Sequence, residues 1–285
     1  MTQTPITNLL PRNRQVAAVA ALALIVSSVL TGCTDLRRNA GPAAKLPGGV
    51  AVPQVVSSSD QVWVALSTAT PSLTPRLVDQ LGQVVVPTAV AMGRRDGRAV
   101  TLEVFALDEA TASQAAQLAA GIYPRVTSDT NPLVAQRETN EATSKLLSQL
   151  QASLARRAAA PTEDPVGALA LLADTAGQVP DAQQHVLGVI LGDGLSSTDN
   201  CDTTLLPAAD AQQVDLAARE CLAGAALDLN GTPIWLDGIG LDPTGGQFTP
   251  TQLDRARTIL ERIIQLADGR LCRAAPVLLP ARTAC

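Results

Sequence analysis

Three side chains offer the residue types used in nucleophilic catalysis: the hydroxyl of Ser67, the imidazole of His185 and the carboxylate of Asp193. A catalytic triad needs these groups within hydrogen-bond reach of one another. His185 opens a continuous apolar run, H-V-L-G-V-I-L, with the length of one buried strand, and Asp193 follows its end. The rise of an extended strand separates the two by about 25 Å. We therefore expect that this set is not catalytic and that the protein is not an enzyme.

The start of the chain has the features of an export signal. Arg12 and Arg14 precede an apolar stretch, residues 16–30. Its length of roughly 15 residues is typical of a signal peptide and short for a membrane span. Residues 1–32 are therefore predicted to be a signal peptide. An ordinary secretory signal and an uncleaved anchor remain as alternatives to the lipoprotein signal considered next.

The tetrapeptide Leu-Thr-Gly-Cys that ends at Cys33 resembles the lipobox of bacterial lipoproteins. The resemblance implies that Cys33 becomes the first mature residue and carries a diacylglyceryl group. The protein would then be lipid-anchored at the cell membrane, on its extracytoplasmic face. Residues 33–59 are rich in Pro, Gly, Ala and Ser and are predicted to form a flexible tether. Residues 60–285 would form the folded domain.

Four further cysteines, an even number in an exported chain, predict two disulfides: Cys201, Cys221, Cys272 and Cys285. Three pairings are open from sequence alone. The shortest loops favour Cys201 with Cys221 and Cys272 with Cys285, which makes the C-terminal tail disulfide-rich. A zinc site is the competing interpretation, but the sequence has no Cys-x-x-Cys and a single histidine.

Composition excludes some partners. The net charge is -5 and no basic run is present, which argues against nucleic acid and against electrostatic binding to anionic lipid. Five aromatic residues leave few stacking platforms for sugars or bases. Membrane attachment would have to come from the acyl chains.

The positions of strands and helices follow from hydrophobic periodicity. Strands are predicted at 61–66, 185–191 and 233–236, and helices at 72–81, 134–157, 208–223 and 250–267, with another helix from Pro165. Residues 88–92 and 99–107 flank an Asp-Gly and predict an antiparallel hairpin. Residues 108–121 are Ala-rich and predict a helix.

This order of elements predicts an α/β fold: a doubly wound, mostly parallel sheet with one antiparallel edge strand, in a Rossmann-like three-layer sandwich. Sites in such sheets form beyond the carboxyl ends of the strands. The topology therefore places Ser67, Thr162, Asp193 and Gly240 as neighbours at one end of the sheet.

Over roughly residues 60–268 the pattern resembles the von Willebrand factor type A (vWA) domain. The motifs that carry the resemblance are the predicted hairpin, T-E-D at 162–164, V-L-G-V-I-L-G-D-G at 186–194 and P-I-W-L-D-G-I-G at 233–240. Many members hold Mg²⁺ or a similar cation in a metal-ion-dependent adhesion site, with an Asp-x-Ser-x-Ser loop, a threonine and an aspartate.

Carried onto this chain, the resemblance implies Thr162 and Asp193 at the threonine and aspartate positions. The first loop is degenerate: its aspartate is replaced by Ala65 or Ser67, depending on register, and Ala69 takes a serine position. Glu163, Asp164 or Asp199 could compensate for the lost carboxylate, since hard divalent ions need oxygen ligands. No cofactor is certain. The alternatives are structural: Asp193 would satisfy backbone N–H groups of its loop, and Thr162 would cap a helix.

The function implied is a lipid-anchored, extracytoplasmic interaction module of the bacterial cell envelope. It would use a degenerate metal-ion-dependent adhesion site, and its partner would be a protein of the envelope. A solute-binding lipoprotein of a transporter is the first alternative, which requires two lobes around a cleft. A structural or assembly lipoprotein without a defined site is the second.

Overall fold

A six-stranded sheet in the order β3-β2-β1-β4-β7-β8 forms the centre of the computed structural model. All neighbouring strands are parallel except β2 and β3, so β3 is an antiparallel edge strand. The fold class predicted from sequence is thereby confirmed. The strands are β1 Ser59–Ser67, β2 Ala99–Leu107, β3 Gln117–Tyr123, β4 Val186–Leu191, β7 Pro233–Asp237 and β8 Arg270–Ala275, and a separate two-residue pair is formed by β5 Ser197–Thr198 and β6 Cys201–Asp202.

The structure describes residues 59–69, 71–108, 111, 115–160, 162–178, 185–198, 201–203, 210–223, 227–240 and 248–275. The predicted signal peptide, the predicted lipidation site Cys33 and all but the last residue of the predicted tether lie outside these residues, as do Asp199 and Cys285. None of the helices in the described ranges is both long and apolar enough to cross a membrane.

Two apolar cores sandwich the sheet because side chains alternate along each strand. Val62, Val64 and Leu66 of β1 point into one core, and Trp63 and Ala65 point into the other. Helices α1 Thr74–Gln80, α2 Val86–Asp96 and α3 Pro132–Ala155 contribute to the first core. The second contains α4 Pro165–Gly177, α5 Ala211–Leu222 and α6 Pro250–Leu266. The three predicted layers are present.

The predicted hairpin is wrong. Residues 88–92 belong to α2, which continues from α1 through a π-helical turn at Leu81–Val85. Their β-branched side chains favour strands weakly, but Val84, Val85 and Val90 are buried against the sheet on one side of the helix. Packing therefore overrides the local preference. β2 is parallel to β1.

The antiparallel partner of β2 is β3, where the sequence predicted a helix over 108–121. Alanine and glycine fill the middle of this strand, Ala119–Ala120–Gly121, and Gly121 brings the backbone close to Leu146 of α3. Small residues allow α3 to pack directly on the edge strand. The hairpin feature of the vWA resemblance is thus present one strand later than predicted.

Helix starts show which predicted caps form. Asp164 caps α4 through its side chain, which accepts a hydrogen bond from Gly167 N at 2.8 Å. Thr162 is not that cap, so the alternative considered for it is wrong. Thr249 and Gln252 form a reciprocal capping box at the start of α6, as the sequence predicts for Thr249.

One predicted disulfide is confirmed: Cys201 and Cys221 are bonded and join β6 to α5. Cys272 of β8 is also disulfide-bonded. Its partner lies outside the described residues, so the pairing with Cys285 stays a prediction.

Candidate functional site

The carboxyl ends of the parallel strands meet at one edge of the sheet, which we call the apical rim. Ser67 ends β1, Asp108 follows β2, Asp193 lies two residues after β4 and Asp237 ends β7. Backbone hydrogen bonds tie these ends together, since Thr68 N donates to Leu107 O and Gly192 N donates to Asp237 O. The apical rim consists of Ser67, Thr68, Asp108, Thr162, Glu163, Asp193 and Asp237.

A loop between α3 and α4 brings Thr162 and Glu163 to the rim. Ala160 N donates to Thr68 O at 3.3 Å, and Glu163 forms an isolated β-bridge with Ser196. Gly240 N donates to Asp193 O at 3.2 Å on the far side of the loop. Ser67, Thr162, Asp193 and Gly240 therefore belong to one edge of the sheet, as the topology predicted, although their ligand roles stay predictions.

Glu163 lies at the centre of this arrangement. Its side chain is 1% exposed, and its Oε2 accepts a long hydrogen bond of 3.4 Å from Gly194 N. Burial raises the pKa of Glu163 well above its ordinary value, and the nearby charge of Asp193 raises it further. The Ser67 hydroxyl and the backbone N–H groups of residues 193 and 194 act in the opposite direction.

Three buried oxygens of the rim make no hydrogen bond of regular geometry: Ser67 Oγ, Thr68 Oγ1 and Glu163 Oε1. Buried polar atoms without partners are uncommon, and each costs about 1–3 kcal/mol. They cluster at the end of the sheet where doubly wound folds bind ligands.

Asp193 has a structural task as well. Its Oδ1 accepts a hydrogen bond from Leu195 N at 2.8 Å and shapes the loop after β4. This is the alternative that the sequence left open for Asp193, and it is confirmed. Asp164 caps α4 through one of its oxygens, and Glu163 is buried at the rim. Compensation of the lost carboxylate by either residue stays a prediction.

The donor set fits a hard divalent cation. Glu163 and Asp193 supply two carboxylates, and Ser67 and Thr162 supply hydroxyls, which are the oxygen ligands that Mg²⁺ prefers. Ser67 and Glu163 already lie close together, since the Ser67 hydroxyl lowers the pKa of the Glu163 carboxyl. The residues present therefore fit the cation that the vWA resemblance implies, with Glu163 in place of the lost aspartate.

Beside the rim lies a cavity of about 410 Å³ between α1 and the end of α3. Thr68 and Arg157 line it, and Arg157 is paired with Asp108 through its guanidinium. The lining also includes Pro71, Val78 and Leu154, so the cavity offers an apolar wall next to the polar rim.

The serine–histidine–aspartate combination is not assembled. His185 lies immediately before β4, and Asp193 follows the opposite end of that strand. Gln61 N donates to His185 O, which fixes the histidine at the amino end of the sheet. Ser67 and Asp193 belong to the carboxyl end.

Sequence reasoning named Glu163 only as one of three substitutes for a lost carboxylate. The local signal was its position next to Thr162 in a loop before a helix. Its burial, however, depends on residues that are distant in sequence, at the end of β1 and in the loop after β4. Gly192 shows the closeness of this packing, because a Cβ there would lie 2.5 Å from Glu163 Oε2.

No protein-family model and no curated protein matches the chain. Among solved structures it is similar to the SpRpn10 VWA domain, with a TM-score of 0.37, 6% identity and coverage of 78% of this chain and 91% of that one. It is also similar to proximal thread matrix protein 1 of the mussel byssus, with a TM-score of 0.28, 9% identity and coverage of 74% and 47%.

A third similar structure is the manganese-loaded TRAP protein of Plasmodium vivax, with a TM-score of 0.26, 10% identity and coverage of 62% and 57%. The chain thus spans only about half the length of the mussel and Plasmodium proteins. The fold class rests on the strand order and directions of the sheet itself.

Proposed function

We propose that the protein is a lipid-anchored, extracytoplasmic interaction module of the bacterial cell envelope, whose vWA-like domain binds a protein partner at the apical rim. The observation that carries this proposal is the pair of buried carboxylates, Glu163 and Asp193, beside the Ser67 hydroxyl at the rim. A cation bound there would offset the cost of burying two neighbouring carboxylates. The lipid anchor rests on the lipobox resemblance at Cys33.

The rim would work as a degenerate metal-ion-dependent adhesion site. Ser67, Thr162, Glu163 and Asp193 would hold Mg²⁺ or a similar divalent cation. When bound, the cation supplies a positive centre for an acidic group of the partner. The chain itself contributes the buried position of Glu163, the loop held by Asp193 and the apolar wall of the neighbouring cavity.

A non-catalytic role is part of the proposal. It is supported by the placement of His185 at the end of the sheet opposite the rim hydroxyls. The solute-binding alternative needs two lobes, whereas the described residues form one six-stranded sheet and a two-residue strand pair. The interaction module is therefore the better-supported of the two.

The cation is tested by thermal unfolding of the full chain with Mg²⁺, Ca²⁺ or Mn²⁺ at millimolar concentration, because binding to the folded state raises the Tm. We expect a rise for wild type and a smaller one for Glu163→Gln. Asp254→Asn on exposed α6 is the control and should respond like wild type. Absence of any rise in wild type would remove the cation from the proposal.

The partner is tested by crosslinking in native membranes. Asp193→Asn keeps an oxygen for Leu195 N but removes the charge, so its fold should be retained while the crosslinked partner is recovered in lower yield. Equal recovery from wild type, Asp193→Asn and Ser67→Ala would contradict binding at the rim.

The anchor is tested separately, since Cys33→Ser should move the protein from the membrane fraction to the soluble fraction.

A further inference from the structure

A second polar cluster lies at the opposite end of the sheet from the apical rim. Parallel pairing of β1 and β4 sets Asp60 beside His185, and His185 N donates to Asp60 Oδ1 at 3.1 Å. Asp96 is the last residue of α2, which stops at Gly97 in a left-handed conformation with a φ of 61°. Three separate elements therefore bring two carboxylates and the chain's single imidazole together.

The distances within this basal cluster, defined as Asp60, Asp96 and His185, are short. His185 Nδ1 lies 2.9 Å from Asp96 Oδ2 and 3.8 Å from Asp60 Oδ1. One ligand atom from each residue can be chosen so that all three lie within 4.8 Å of one another. Three protein donors at this spacing could contact one metal ion.

Asp60 provides an independent sign that a ligand is expected. Its side chain is fully buried, and its Oδ2 has no hydrogen-bond partner. A buried carboxylate oxygen in this state is costly, because desolvation is not offset by a donor. His185 satisfies only the other oxygen, Oδ1, so a positive charge at the cluster would supply what Oδ2 lacks.

Arginines neutralise part of the cluster. Arg95 donates from Nε to Asp96 Oδ1 at 2.7 Å and from Nη2 to Asp96 Oδ2 at 3.0 Å. Its side chain is 67% exposed, so this ion pair contributes little to stability. The charge of Arg98 also acts on Asp60. Among the described residues, no side chain donates a hydrogen bond to Asp60 Oδ2.

The cluster opens into a cavity of about 830 Å³, which lies between α2 and strands β4, β7 and β8. Asp96 and His185 line its wall together with Arg95 and Arg270. Trp235 and Met92 add apolar surface. Water or a small anionic group could therefore reach a metal ion held by the three side chains.

We propose that Asp60, Asp96 and His185 form a three-ligand site for Zn²⁺ or a similar divalent transition-metal ion, with its remaining coordination position open to the cavity. Zinc accepts imidazole nitrogen and carboxylate oxygen together, and sites with three protein ligands leave one position for water or a bound molecule. The imidazole distinguishes this site from the all-oxygen rim, because Mg²⁺ and Ca²⁺ favour oxygen ligands.

The test uses the full chain, purified without a histidine tag and stripped of metal with a chelator, in a calorimetric titration with ZnCl₂. We expect one zinc ion per chain. Because His185 is the only histidine, its ring resonances in an NMR spectrum report this site alone, and they should shift on saturation with zinc. A heat of zinc binding without a shift of the His185 ring resonances would overturn the proposal.

Variants locate the binding. His185 is 52% exposed, so His185→Gln should fold as wild type does. We expect its zinc affinity, and that of Asp96→Asn, to fall by more than about tenfold, which even an outer-shell residue can cost. Asp254→Asn removes an arginine-paired carboxylate elsewhere and should bind zinc like wild type.

Asp193→Asn separates the two sites, because it changes the apical rim and leaves the basal cluster intact. Unchanged zinc binding in that variant supports the basal site, whereas its loss would assign the zinc to the rim. Full-strength binding by His185→Gln would equally overturn the proposal.

Discussion

Glu163 is buried against Asp193, and the charge of Asp193 adds to burial in raising the pKa of Glu163 well above its ordinary value. Two neighbouring carboxylates at the end of a parallel sheet are thus poorly compensated by the chain itself. This relationship connects stability to binding at the apical rim. Glu163 lowers the stability of the isolated domain, and a cation bound at the rim would offset that loss of stability.

Replacing Glu163 by glutamine should stabilise the metal-free protein. The amide has nearly the same shape, and its oxygen can still accept from Gly194 N, while the buried charge is gone. We expect the free energy of unfolding at pH 7, measured with urea, to rise by about 1–3 kcal/mol. Glu138→Gln on the exposed side of α3 is the control and should stay within about 0.5 kcal/mol of wild type. A clear loss of stability in Glu163→Gln would mean that the carboxylate is fully compensated.

Glu103 should make stability depend on pH. Burial on β2 raises its pKa above the ordinary 4.5, and the hydrogen bond from Gln117 only partly opposes this. A carboxyl whose pKa is raised by folding stabilises the folded state below its ordinary pKa, and this contribution is lost as the pH rises through the raised value. Glu103→Gln should therefore be more stable than wild type at pH 7, with the difference shrinking as the pH falls towards 4.5. Urea unfolding at several pH values measures it, and a difference that grows on acidification would contradict it.

Gly188 should not tolerate a side chain. A Cβ there would lie 2.2 Å from Leu172 Cδ2 and 2.9 Å from Ile234 Cδ1, inside the core between α4 and the sheet. We expect Gly188→Ala to lower the free energy of unfolding by about 1–3 kcal/mol. The matched control is Gly177→Ala at the end of α4, where no atom lies within 4 Å of the added Cβ. If both variants unfold at the same denaturant concentration, the packing of α4 on β4 is looser than described.

The second disulfide should join Cys272 to Cys285. Mass spectrometry of peptides from unreduced protein should recover this pair and the Cys201–Cys221 pair, and a peptide that links Cys272 to Cys33 would contradict it. Replacing Cys201 and Cys221 by serine should lower the free energy of unfolding by about 3 kcal/mol, as expected for a loop of this length. That pair closes a separation of 20 residues.

The sequence predicts that the rim residues share one end of the sheet, because that position depends only on the direction of the strands they follow. The apolar runs that became β1 and β4 are long enough to be identified as buried strands, and their polar ends must then meet at one edge. Helices α3 and α6 were equally visible from leucine and isoleucine spacing. The Thr249 cap of α6 and the apolar faces of both helices agree with the sequence pattern, so local and global preferences coincide there.

Prediction failed where packing opposes local preference. Valines in α2 favour a strand, and alanines in β3 favour a helix, yet each segment adopts the structure that the neighbouring core requires. β8 was not predicted, because Arg270 and Arg273 interrupt its apolar residues and leave no alternating pattern. The basal cluster was also missed, since Asp60, Asp96 and His185 come from three elements and form no sequence motif.

Because β1 runs from Ser59 towards the rim, the polypeptide enters the domain at the end that carries the basal cluster. If Cys33 is acylated, the lipid anchor would be joined to the domain at that end, and the apical rim would lie at the opposite end of the sheet. The 26 residues from 33 to 58 could extend over about 90 Å. The rim could then engage a partner well away from the bilayer.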